Sequence, residues 1–175
     1  MAVVIDPISP VAFSVFGLDI RWYALAYVAA FIVGYLLFRR LMNARDSQIR
    51  LDKKQLDDLL TAVILGVILG GRLGYVLMYN LPFFVAHPLE IFAVWHGGMS
   101  FHGGLVGVII AVFMYACTLH RTNAISGTTP NIAFRILDLL AVVTPIGFFF
   151  GRIANFINME VMGRPTGAPW GVVFN

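Results

Sequence analysis

Residues 59–79 read LLTAVILGVILGGRLGYVLMY, with one formal charge, Arg72, in the whole stretch. A helix that crosses a bilayer needs roughly 20 mostly apolar residues. In hydrocarbon the backbone must hydrogen-bond to itself, so such a run is a helix and not a strand. Three more runs of the same kind flank it, at about 22–38, 99–119 and 132–150. The expected fold class is therefore an all-α polytopic membrane protein, with about four transmembrane helices in one domain over residues 1–175. Composition agrees. Apolar residues make up 59% of the 175 positions and charged residues 12%, against about 45–50% and about 25% in soluble domains. The mean hydropathy is +0.85. These values exclude a disordered chain, a disulfide scaffold and a soluble globular domain. Cys117 is the sole cysteine, which leaves no internal disulfide and reads as a small buried hydrophobe.

The loops carry the charge. Between the first two runs stand Arg39, Arg40, Arg45, Arg50, Lys53 and Lys54; between the second and third there is no Lys or Arg, only His87, Glu90 and His96. Arg121 lies between the third and fourth, with Arg135 just inside the last run. By the positive-inside rule the first and third loops face the cytoplasm, so the N-terminus, the 81–96 loop and the tail from Arg152 face outward. The net charge of +3 follows from this loop bias, and no nucleic-acid partner is expected. No cleavable signal peptide is expected either, because the basic cluster follows the first apolar run instead of preceding it. The 81–98 loop contains Phe83, Phe84, Ile91, Phe92 and Trp95. It reads as an interfacial segment at headgroup depth, or as a plain loop with aromatic anchors.

Glycines recur every fourth residue: Gly66, Gly70 and Gly74 in the second run, Gly103 and Gly107 in the third, Gly147 and Gly151 in the fourth. Small residues at this spacing let helix backbones approach closely.

Charged groups within spans cost at least about 2.5–3.5 kcal/mol at the bilayer centre, so each needs a reason. Topology brings Tyr23, Arg72, His102 and Arg152 to the outer face from separate runs, and arginines there suit a lipid phosphate. Arg72 reads either as a phosphate ligand or as a structural arginine that snorkels outward. Asp138 lies nearer the other face and reads as a partner of Arg135 one turn away, or as a functional acid. His102 sits within Gly97-Gly98-Met99-Ser100-Phe101-His102-Gly103-Gly104. The flanking glycines are expected to strip bulk from around the imidazole and open backbone amides to a substrate. In 151–160, GRIANFINME, Arg152 and Asn155 share a face if the segment is helical, as do Asn155 and Asn158. A guanidinium with carboxamides fits a phosphodiester and a glycerol hydroxyl. No metal-ligand spacing and no nucleotide-type phosphate loop is present, so no metal and no cofactor are expected.

These segments resemble the prolipoprotein diacylglyceryl transferase family of bacterial membrane enzymes. The resemblance rests on the 97–104 and 151–160 motifs, on Arg21-Trp22-Tyr23, and on Gly70-Gly71-Arg72-Leu73-Gly74-Tyr75 with Tyr79-Asn80. It runs from about Pro10 to Phe174. It implies transfer of the diacylglyceryl group from phosphatidylglycerol to the lipobox cysteine thiol of a prolipoprotein, in the bacterial inner membrane, with the site towards the periplasmic face. It also implies further spans beyond Asn175, so the chain is expected to be the N-terminal portion of a longer enzyme. His102 matches the family's histidine and takes the role of base. Arg152, and with it Arg72, would hold the phosphate. Tyr23 and Asn155 would bond the headgroup, Gly163 would supply backbone shape, and Asp138, Asn158 and Glu160 would support. The implied partners are phosphatidylglycerol, the lipobox signal peptide and membrane lipids. A non-catalytic headgroup-binding relative is the alternative. A transporter subunit is less favoured, because the polar residues cluster at one face instead of crossing the membrane.

Overall fold

The structure is a computed structural model and describes residues 3–5, 8–44, 49–161, 163–169 and 171–174. In chain order its elements are strands β1 (Val3–Ile5), β2 (Val11–Val15) and β3 (Leu18–Arg21), then helices α1 (Trp22–Met42), α2 (Lys53–Met78) and α3 (Leu81–Ala86). Two 3-10 turns, Pro88–Phe92 and Val94–His96, lead to α4 (Phe101–Arg121), α5 (Thr129–Ile157) and β4 (Val172–Phe174). Helices α1, α2, α4 and α5 are each long and apolar enough to cross a membrane. The chain is thus a mainly helical membrane protein with the four spans expected.

The helices outrun the apolar stretches that announced them. Helix α2 begins at Lys53 because Asp52 and Gln55 form a reciprocal capping box: Gln55 N–H donates to Asp52 Oδ1 (2.8 Å) and Asp52 N–H to Gln55 Oε1 (2.9 Å). Helix α5 extends to Ile157, past the last hydrophobic cluster. Arg152 and Asn155 therefore stand inside a helix.

The residues form two compact units, Met1–Leu41 with Leu140–Asn175, and Met42–Leu139. In the second unit α2 and α4 pack antiparallel with their glycines interleaved. A methyl on Gly66 would stand 2.7 Å from the Gly107 carbonyl oxygen, and one on Gly74 2.7 Å from Gly103 Cα. Methyls on Gly70, Gly103 or Gly107 would likewise run into the facing backbone. Hydrogen in place of Cβ is what lets the two backbones touch. Val112, Ile132 and Ile136 are fully buried in this unit, and Phe113 meets Phe134 edge-on at 5.7 Å. Tyr115 Oη donates to the Gln55 carbonyl (2.7 Å), which ties α4 to the first turn of α2.

In the first unit β2 and β3 form an antiparallel hairpin that feeds into α1. Its turn residues Phe16 and Gly17 both take positive φ, 50° and 80°, the backbone of a type I′ turn. Trp22 N–H closes the entry onto the Pro10 carbonyl (3.1 Å). Strands β1 and β4 pair in parallel, Val3 with Val172. Hydropathy did not announce these strands. They are short, and their partners are set by tertiary contact. Gly147 and Gly151, expected to mediate helix packing, behave otherwise. Among the described residues a methyl on either would meet nothing within 4 Å.

Candidate functional site

Arg152 and Asn155 lie on one face of the last two turns of α5, as their spacing of three requires. The helical ladder runs one bond past the helix end, from Asn158 N–H to the Ala154 carbonyl (3.0 Å). The chain then turns sharply. Met159 and Val161 both take left-handed φ, 54° and 53°, on either side of Glu160. A β-branched residue there is an outlier, and such positions cost of order 1–3 kcal/mol each. The result is that Glu160 folds back towards the helix. Its Oε1 accepts from Asn155 Nδ2 (3.1 Å) and from Asn158 Nδ2 (3.4 Å), and its N–H donates to the Asn155 carbonyl (3.0 Å). Asn158 Oδ1 is buried and unpartnered among the described residues.

A cavity of about 290 Å³ opens at this turn, lined by Arg152, Asn155, Glu160 and Gly163 with Phe156, Met159, Val161 and Val172. Four of the residues singled out in the sequence therefore meet at one place, and Asn158 braces it through Glu160. Arg152 is exposed and, among the described residues, its guanidinium has no hydrogen-bond or ion-pair partner. Its planar fork of donors is free to grip a phosphate in two places. The carboxylate and carboxamides beside it are acceptors and donors suited to hydroxyls. Tyr23, in the first turn of α1, is half-buried with its ring 5.1 Å from Tyr27 one turn on.

In the second unit Arg72 lies under the connection between α2 and α4. It is 5% exposed, and its five N–H donors all go to backbone carbonyls. Nε donates to Ile91 (2.9 Å), one terminal nitrogen to Gly97 and Gly98, the other to Glu90 and Ala93. The guanidinium carbon lies 5.2 Å from the Phe84 ring and 6.0 Å from that of Tyr75, within cation–π range. An arginine has five donors, so none remains for a phosphate. In this structure Arg72 is an internal, structural clasp on the α2–α4 connection.

His102 is the second residue of α4 and is exposed. Its ring meets Phe101 edge-on at 5.6 Å, and among the described residues neither ring nitrogen has a hydrogen-bond partner. The imidazole is open, but the glycines around it serve other ends than clearing space for it. Gly97 and Gly98 have positive φ, 82° and 80°, which turns both carbonyls onto Arg72, and the flat face of Gly98 lies against the Tyr75 ring. Gly103 faces the α2 backbone, and its N–H is capped by Ser100 Oγ (3.2 Å).

Asp138 is exposed on the first half of α5 with no hydrogen bond or ion pair among the described residues. Two features escaped the sequence reading. Ser100 is 3% exposed, caps α4, and donates its N–H to the Gly71 carbonyl (2.9 Å); its position just ahead of an apolar run was the available signal. His96 Nδ1 and Glu90 Oε2 pair at 2.9 Å, and nothing in their spacing announced that. Among the described residues no three metal-ligating side chains gather.

A profile of the prolipoprotein diacylglyceryl transferase family matches residues 10–175. The chain is 49% identical to a protein of Azospirillum brasilense named phosphatidylglycerol--prolipoprotein diacylglyceryl transferase, over 99% of this chain and 61% of that protein. It is 49% identical to a protein of the same name from Methylocella silvestris, over 95% of this chain and 59% of the relative. A third, from Cereibacter sphaeroides, is also 49% identical over 95% of this chain, which spans 81% of its length. The chain thus spans about three-fifths of the first two relatives. With the match covering nearly all its residues, the chain belongs to the prolipoprotein diacylglyceryl transferase family.

Proposed function

We propose that the chain works in transferring the diacylglyceryl group of phosphatidylglycerol to the lipobox cysteine of prolipoproteins in the bacterial inner membrane. The observation that carries this reading is the Arg152 cleft. A guanidinium without a partner among the described residues stands beside Asn155 and Glu160 in about 290 Å³, in a chain whose relatives are named for phosphatidylglycerol and prolipoprotein. The cleft faces the periplasm in this reading, which follows from the loop charges, and the 81–96 segment lies at headgroup depth.

The reaction needs a thiolate, since a thiol with a pKa near 8.5 is mostly protonated at neutral pH. His102, exposed and without a competing bond among the described residues, takes the thiol proton. The sulfur then forms a bond to the glyceryl carbon, and the carbon–oxygen bond to phosphate breaks with its electron pair leaving on oxygen. Glycerol phosphate departs and accepts the proton from the imidazolium. Charge grows on the phosphate as the bond breaks, and Arg152 meets it there. Tyr23 and Asn155 bond the headgroup. Glu160, braced by Asn155 and Asn158, holds the cleft in shape, Gly163 leaves its wall thin, and Asp138 supports from the other half of α5. No cofactor or metal enters this scheme.

The test uses phosphatidylglycerol vesicles and a lipobox peptide, with mass spectrometry of the peptide cysteine. The wild type yields a diacylglyceryl thioether. His102→Gln, still membrane-inserted, is expected to lose about 10²–10⁴-fold in rate, the usual contribution of a general base. An unchanged rate in His102→Gln removes the histidine from the mechanism. A wild type that retains phosphatidylglycerol but forms no thioether makes the protein a headgroup binder.

A further inference from the structure

Arg72 has no donor left for a ligand, and what it holds is specific. Its partners are five carbonyls of one short stretch, Glu90, Ile91, Ala93, Gly97 and Gly98. Two residues beyond Gly98 the α2 backbone takes hold again, through Ser100 N–H to the Gly71 carbonyl (2.9 Å). Ser100 then caps α4 through Gly103 N–H (3.2 Å), and Gly103 is seated against Gly70 and Gly74. His102 lies between the last two of these anchors. Gly97 and Gly98 are both at positive φ; Gly97 N–H closes the second 3-10 turn onto the Val94 carbonyl (3.2 Å), and the guanidinium takes both of their carbonyls. The 3-10 bonds of this connection hold it only to itself; the buried cation satisfied by carbonyls is what ties it to α2.

We propose that Arg72 is a positioning residue: by clasping the Glu90–Gly98 backbone onto α2 it sets the conformation of the segment that starts α4 and carries His102. The inference deepens the proposed function, because the group it positions is the base of that reaction. It assigns Arg72 no contact with lipid. Two consequences separate it from a phosphate ligand. Lysine has three donors on a compact head, so Arg72→Lys keeps the charge but cannot satisfy five carbonyls. The 90–103 backbone should then loosen, and the loss in catalysis should fall on kcat, with KM for phosphatidylglycerol nearly unchanged.

The experiment compares wild type, Arg72→Lys and Gly98→Ala, as full chains in phosphatidylglycerol vesicles. It reads amide hydrogen exchange by mass spectrometry and, in the same samples, kcat and KM. Gly98→Ala disturbs the same clasp from the loop side, since its methyl would press into the Tyr75 ring, and it leaves Arg72 itself intact. The expected result is exchange at least tenfold faster in the 90–103 peptides of both variants, α2 and the second half of α4 being unchanged. With it, kcat falls by ten-fold or more at constant KM. Unaltered exchange at 90–103 in Arg72→Lys overturns the proposal, as does a KM that rises while kcat holds. Should Arg72→Lys not insert, Gly98→Ala decides by the same two readings. If the wild type forms no thioether, the proposed function falls, and the exchange comparison still decides whether Arg72 holds the segment.

Discussion

Arginine occurs twice among the polar positions of this chain that matter most, and the two are not interchangeable. Arg72 is buried with its donors all committed, while Arg152 is exposed with its donors free among the described residues. The difference fixes what each can do. A free guanidinium binds a phosphate oxygen pair as a fork, which a lysine cannot copy. Arg152→Ala is therefore expected to lower kcat for transfer by about 10²–10³-fold, the scale seen when one preorganised donor to a developing charge is removed. Arg152→Lys should recover only part of that loss. Initial rates with phosphatidylglycerol vesicles measure both, and full activity in the lysine variant would show that two-point recognition is not used. Residue types and spacing made the Arg152–Asn155–Glu160 group legible, because helical spacing of three aligns the first two. The turn that brings Glu160 back onto Asn155 and Asn158 was not legible. It depends on Met159 and Val161 adopting left-handed φ, which no side-chain preference of Met or Val announces.

At the level of elements, glycines in the same four-residue pattern serve unlike purposes. Gly66, Gly70, Gly74, Gly103 and Gly107 interleave α2 with α4, whereas Gly147 has open space at its Cβ among the described residues. The spacing in sequence is identical, and only the identity of the neighbour distinguishes them. Gly107→Ala would drive a methyl into the Gly66 carbonyl, and should destabilise by about 1–3 kcal/mol as the helices separate. Gly147→Ala should be neutral or stabilising by up to about 0.5–1 kcal/mol, since alanine is the better helix former. Unfolding midpoints in mild detergent distinguish the two. Equal effects would show that the α2–α4 contact is looser than the interleaved backbones require.

On the scale of the molecule, the distribution of charge bears on which side each loop faces. The 43–52 loop and the approaches to it hold Arg39, Arg40, Arg45, Arg50, Lys53 and Lys54, and the 81–96 segment has no Lys or Arg. In a Cys117→Ser background, single cysteines at Leu89 and Thr166 should react with an impermeant maleimide added outside intact cells. Cysteines at Asn43 and Ala124 should react only after the membrane is opened. The reverse pattern would invert the topology and take the Arg152 cleft away from the outer surface, against the proposed function.

The four spans, their approximate limits and the family were determined by the sequence alone. Hydrocarbon tolerates few backbone arrangements, so a run of about 20 apolar residues has only the helix open to it, and the motifs around His102 and Arg152 are long. Tertiary structure alone decided what the polar groups within those spans face. Arg72 and Arg152 are both arginines near the C-terminal ends of apolar helices, and local sequence does not separate them. One is enclosed because the Glu90–Gly98 backbone curls over it and presents five carbonyls, a geometry set by two glycines at positive φ and a proline-led pair of short turns. The other stays open because α5 ends a turn and a half later in a reversal that turns Glu160 to the two asparagines. Backbone carbonyls carry no residue identity, so a site built from their directions leaves only its turn-forming glycines and proline in the sequence, and these do not say what the carbonyls face.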